Sequence, residues 1–72
     1  MLSVGQLYLM QSCRKSGVPE ELIPNFLSRC GASEAEYRGL VERGLIESKN
    51  GRILLTKEGK QTYNREREKG RF

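Results

Sequence analysis

The sequence predicts a mainly α-helical domain with one small β-hairpin, and three observations predict it. Residues that favour helix N-caps, Ser3, Ser33 and Thr56, stand ahead of stretches with helical character. Gly17, Gly31 and Gly44 fall where such stretches end, the position at which a left-handed residue closes a helix. Between the last two starts, Asn50-Gly51 divides two apolar runs, the strongest short-range signal for a two-residue type I′ turn. The resulting order is helix, helix, helix, hairpin, helix.

The first helix runs from the Ser3 cap to about Lys15 and is closed by Gly17. Leu2, Val4, Leu7, Tyr8, Leu9, Met10 and Cys13 cover most of its azimuths, so it needs neighbours on several sides. Pro19 then sits where a helix start accepts proline, and Leu22, Ile23, Phe26, Leu27 and Cys30 share one arc, leaving Pro24, Asn25, Ser28 and Arg29 outside it. Pro24 clashes with the carbonyl four residues back, so this segment is either a kinked helix or a turn followed by a helix starting near Pro24.

Ser33 and Glu36 have capping-box spacing, which opens a third helix from about Glu34 to Arg43, closed by Gly44. Its buried side is expected to be Tyr37, Leu40 and Val41. Its outer side is expected to carry Ala35, Arg38, Gly39 and Glu42. The hairpin places Ser48 opposite Ile53, Ile46 opposite Leu55, and Lys49 beside Arg52 at the tip. Thr56 caps the last helix. Residues 64–72 are nearly all polar or charged, so the domain is expected over residues 1–64, with 65–72 a charged tail, a frayed helix end or an arm awaiting a partner.

A chain of 72 residues supports one modest core, burying roughly 60% of the surface its unfolded state exposes. Hydrophobic content of 36% beside 31% charged residues is that of an ordinary soluble domain. The longest apolar runs, Leu7 to Met10 and Ile53 to Leu55, are too short to cross a bilayer, and no targeting segment is evident, so a cytoplasmic protein away from membranes is expected. Histidine is absent, and Cys13 and Cys30 form no CxxC pair, which leaves the usual zinc constellations without ligands. Two reduced core thiols are expected rather than a disulfide. Without a nucleophile–base pair, paired acids or a glycine-rich phosphate loop after a strand, no enzyme, catalytic residue or cofactor is expected.

The net charge of +4 is unevenly placed. Residues 1–36 hold three Lys or Arg against four Glu, whereas residues 37–72 hold ten against five. A basic half raises the prospect of a polyanionic partner, with a solvated charged face as the plain alternative.

Gly44-Leu45-Ile46, Asn50-Gly51-Arg52, and Leu55-Thr56 with Gly59 three residues on together resemble the segment joining recognition helix, wing and following helix in winged helix-turn-helix proteins. The wing is most similar to that of MarR-like and PadR-like regulators, and the resemblance covers about residues 31–63. It implies a winged helix with three helices, a two-stranded wing and a C-terminal helix, acting as a small transcriptional regulator on duplex DNA. On that resemblance Arg38 is the base reader of the third helix, with Ser33 and Arg43 beside it. Arg52 is the wing arginine at the minor groove, with Lys49 at its side, and Lys57 and Lys60 contact phosphates. An arginine fork suits a guanine edge and a lysine suits phosphate oxygens.

The chain also departs from that pattern. Gly31 to Gly44 is shorter than in MarR-like proteins, Glu34 and Glu36 stand at the end that enters the groove, and the flanking dimerisation helices have no counterpart, which leaves a homodimer open. A protein-interaction module or accessory subunit that never touches DNA is the competing expectation. Glu34, Glu36, Ala35, Gly39 and the apolar Phe72 suit that reading. Arg38 on an outer helix face reads first as a solvated charge, while Lys49 and Arg52 read equally as charges that keep a sheet edge soluble and Gly39 equally as a packing residue.

Overall fold

The structure, a computed structural model, describes residues 2–70, so the expectations placed on Arg71 and Phe72 lie outside the described residues. Helix α1 spans Val4–Ser12, strand β1 Val18–Pro19, a 3-10 turn Glu20–Leu22, α2 Ile23–Cys30, α3 Glu34–Glu42, β2 Ile46–Lys49, β3 Arg52–Leu55 and α4 Lys57–Glu68. The molecule is mainly helical, with four α-helices and a small antiparallel sheet in the order β1-β3-β2.

Helix α1 is the hub. It contains no charged residue, Leu7, Leu9 and Met10 are fully buried, and it packs against α2, α3 and α4. Ser3 and Gln6 cap it reciprocally, and the Gln6 amide then donates to the Glu36 carbonyl at 3.0 Å, tying α1 to α3 through a buried polar side chain. The helix ends at Ser12 and not near Lys15, because Cys13 turns into the core while Arg14, Lys15 and Ser16 stay in solvent. Gly17 does not close this helix. With φ at 83° it bends the chain into β1, close under the Ile53 carbonyl and Leu54.

Strand β1 is the element the sequence reading missed. Val18 pairs with Ile53 and Pro19 with Arg52, and the Glu20 amide donates to the Gly51 carbonyl. Pro19 therefore belongs to a short edge strand and not to a helix start, a place where its missing N–H costs no ladder bond. Of the two alternatives at Pro24, the split segment is the one observed: the 3-10 turn precedes α2, and Pro24 occupies the first turn of α2, where no amide partner is required. Ile23 and Leu27 are buried and Phe26 and Cys30 pack against the core, whereas Leu22, in the 3-10 turn and out of phase with α2, is 39% exposed.

Helix α3 has the expected capping box and Arg43 as its last cap, followed by Gly44 at φ 72°. Its inner face is rotated from the expected one. Leu40 is buried and Tyr37 half-buried, but Val41 is 45% exposed, and Gly39 faces Gln6 of α1 and not the outside. The Gln6–Glu36 bond fixes this rotation by drawing the 36/39/40 side of the helix onto α1.

The hairpin has the expected register, Ile46 opposite Leu55, Ser48 opposite Ile53 and Lys49 opposite Arg52, with Asn50 and Gly51 at φ 54° and 76°. The expected two-stranded sheet is three-stranded, because β1 adds a strand at the free edge of β3. Helix α4 continues past Tyr63 to Glu68, so residues 65–68 are helical rather than frayed, with the Lys69 ammonium 3.6 Å from Glu66.

Both thiols are free. Burial, with the neighbouring Cys30 as a second cause, pushes the Cys13 thiol up to about 12. A disulfide reagent at mild alkaline pH should therefore modify half-buried Cys30 well ahead of Cys13, which reacts only on unfolding; equal rates would contradict this packing.

The base of the hairpin is closed by a tight backbone contact. A methyl group on Gly59 would stand 1.9 Å from the Leu45 carbonyl oxygen, whereas one on Gly39 would meet only the flexible Gln6 amide at 3.6 Å. Gly59→Ala should thus cost about 2 kcal/mol or more through forced separation of α4 from the hairpin. Gly39→Ala should be neutral or stabilising by up to about 1 kcal/mol through helix propensity. Urea unfolding of the two variants checks both signs.

Candidate nucleic-acid interface

Four of the expected contact residues lie on the hairpin and α4. Lys49 and Arg52 face each other across the tip. Strand alternation puts them on the face shared with Glu47 and Leu54, opposite the face of Ile46, Ile53 and Leu55 that enters the core. Lys57 and Lys60 sit in the first turn of α4, which starts directly beyond β3. Position along the strand sets the spacing: the tip and the base of β3 are about 10 Å apart, roughly three base-pair rises along a duplex axis.

The base of this unit is rigid. The Thr56 amide donates to the Leu45 carbonyl at 3.1 Å and its hydroxyl donates to the Gly44 carbonyl at 2.6 Å. The same hydroxyl accepts from the Gly59 amide at 3.0 Å, so one side chain caps α4 and ties it to the end of α3. Lys49, Lys57 and Lys60 are exposed, and none of them forms an ion pair among the described residues.

Arg52 is differently placed from a free wing arginine. Its Nε donates to the Ser16 carbonyl at 2.8 Å and a terminal nitrogen donates to the Gly17 carbonyl at 3.1 Å, so the guanidinium fork fastens the loop before β1 to the sheet. This clamp brings β1 and β3 together and still leaves the side chain exposed. Sequence reading missed the role because its signal is a carbonyl pair 35 and 36 residues away.

The three expected residues on α3 do not join that basic group into one uninterrupted patch. Ser33 spends its hydroxyl on the Glu36 amide, 3.1 Å away, and its own amide donates to the Glu36 carboxylate at 2.8 Å. Arg38 is exposed and 3.2 Å from Glu34, one turn back, while Glu42 follows one turn on. The outward row of α3 is therefore acid, base, acid. Arg43 caps the helix end and is exposed.

The molecule is consequently divided by charge. Residues 20–43 hold five Glu against three Arg, and residues 44–70 hold seven Lys or Arg against four Glu. On the acidic side the Ser48 hydroxyl donates to the Glu20 carboxylate, and the Tyr37 hydroxyl is pushed above its ordinary range, first by burial and then by Glu20 and Cys13. Among the described residues no group of three or more potential ligands stands together as a metal site. No helix of the described residues is long and apolar enough to cross a membrane.

The Glu36 carboxyl is held below its ordinary value of 4.5, chiefly by the Ser3 hydroxyl and next by the Ser33 amide. A depressed carboxylate contributes stability above its unfolded value and loses it as pH falls through the folded one. Glu36→Gln should therefore destabilise the protein at neutral pH and flatten the acid limb of stability, measured as urea midpoints from about pH 7 to about pH 3. An acid limb as steep as that of the parent would contradict this role.

Arg52→Lys should fail to restore what Arg52→Ala loses, because one ammonium cannot span two carbonyls with the geometry of the fork. Each variant should lower stability by about 1 kcal/mol, the scale of an exposed charged hydrogen bond.

No family model, curated protein or solved structure matches this chain.

Proposed function

We propose that this chain is a winged helix-turn-helix module that binds duplex DNA mainly through its backbone, with the hairpin as the wing. The observation that carries the proposal is the set Lys49, Lys57 and Lys60, exposed, without ion pairs among the described residues, and held at the two ends of one rigid hairpin. Supporting it, α2 and α3 are joined by the three residues Gly31, Ala32 and Ser33, a connection of helix-turn-helix length with glycine in the turn. The third strand leaves the hairpin anchored on both sides of β3, so its tip is presented as a fixed object.

In this reading the lysines neutralise phosphates and set affinity, while Arg38 is the only outward cation in the middle of α3 and adds modest base discrimination against the cost of Glu34 and Glu42. The protein then acts as a small DNA-binding regulator or architectural subunit with weak sequence preference. The acid–base–acid row of α3 favours a second reading, a winged-helix interaction module whose α3 meets protein.

Fluorescence anisotropy of a labelled random-sequence duplex across a salt series tests the first reading. Each phosphate contact contributes about −0.9 to the slope of log K against log salt, so Lys57→Ala with Lys60→Ala should flatten the slope by about 2 units and leave stability unchanged. Absence of binding at low salt, or an unchanged slope in the double variant, would overturn it.

A further inference from the structure

A concave site lies on the acidic side of the molecule, among the 3-10 turn, α2 and α3. The cleft between the 3-10 turn, α2 and α3 has a volume of about 330 Å³ and is lined by Glu20, Ile23, Pro24, Leu27, Glu34 and Tyr37. Its floor is aliphatic, from Ile23 and Leu27, and its rim carries two carboxylates and a half-buried tyrosine.

We propose that this cleft docks an arginine side chain presented by an extended basic segment of a protein partner. Arginine combines an aliphatic stem, which suits Ile23, Pro24 and Leu27, with a planar head that can bond carboxylates in two places and stack on an aromatic ring such as Tyr37. Charge complementarity selects the occupant. The surrounding helices are net acidic on a chain that is +4 overall, so a basic segment is attracted to this side only.

Neither carboxylate is fully committed. Glu20 accepts through Oε1 from the Ser48 hydroxyl and its Oε2 has no partner among the described residues. Glu34 is held by Arg38 through an exposed contact, 65% and 77% of the two side chains being in solvent, and such a pair yields readily to a better-placed cation. Arg38 is therefore an internal competitor for the partner's arginine. The site meets the DNA reading only at the Arg38–Glu34 pair, since the lysines of that reading lie on the hairpin tip and α4.

The test is a ¹H–¹⁵N titration of the 72-residue protein with the peptide acetyl-Gly-Arg-Gly-Arg-Gly-amide, and with the same peptide carrying citrulline for arginine. The arginine peptide should give saturable shifts centred on Ile23, Leu27, Glu34 and Tyr37, and the citrulline peptide should not. Glu20→Gln with Glu34→Gln should weaken binding at least tenfold while the unbound spectrum stays folded, and Arg38→Ala should strengthen it severalfold. Equal shifts with citrulline, shifts scattered over the surface, or no weakening in the double variant would overturn the proposal. So would the same saturable shifts with magnesium ion alone, which marks a simple cation site, or concentration-dependent shifts without peptide, which mark a second copy of the chain as the occupant.

Discussion

The contact of the Gly59 backbone with the Leu45 carbonyl is the constraint on which the functional geometry depends. There α4 approaches the base of the hairpin more closely than any side chain at position 59 permits. Leu45, whose amide closes the end of α3, also receives the Thr56 amide, so α3, the hairpin and α4 meet at one carbonyl. Thr56 reinforces the junction by bonding both the end of α3 and the start of α4. Without this junction Lys57 and Lys60 would hang from a separate helix. With it they keep a fixed distance from the tip.

A second constraint is the uncharged helix α1. Its buried Leu7, Leu9 and Met10 give α2, α3 and α4 a common surface to dock on. Gly5 lets the end of α2 approach, since a methyl group there would stand 2.7 Å from the Gly31 carbonyl. On the far side Arg14 lies 4.9 Å over the ring of buried Tyr63, which ties the loop after α1 to α4. Charges are thereby kept at the periphery and sorted by element. The 3-10 turn and α3 carry five Glu, whereas the hairpin with α4 carries six Lys or Arg against four Glu.

Much of this fold was legible in local sequence, and the limit of legibility has a physical cause. Ser3, Ser33 and Thr56 announced their helices because a cap is a contact between residues three positions apart. Asn50-Gly51 set the hairpin register because a type I′ turn admits only residues tolerant of positive φ. Strand β1 was not legible. Two residues, one of them proline, carry no periodic pattern, and the strand exists only because β3 offers its free edge. The rotation of α3 was hidden for a similar reason, since Val41 and Gly39 are positioned by the Gln6 side chain from another helix. Among the contact candidates, Lys49, Lys57 and Lys60 stand exposed where their positions implied. Arg52 is tied to the Ser16 and Gly17 carbonyls, and Arg38 lies between Glu34 and Glu42.

Chemical-shift mapping of a short duplex DNA on the ¹⁵N-labelled protein at low salt tests the central claim most directly, because it locates the contact as well as detecting it. Binding through the basic hairpin and α4 predicts that the largest shifts fall on Lys49 to Arg52 and on Lys57 to Lys60, with Glu20 and Glu34 nearly still. Shifts centred on the α2–α3 cleft, or a spectrum unmoved by DNA, would contradict it.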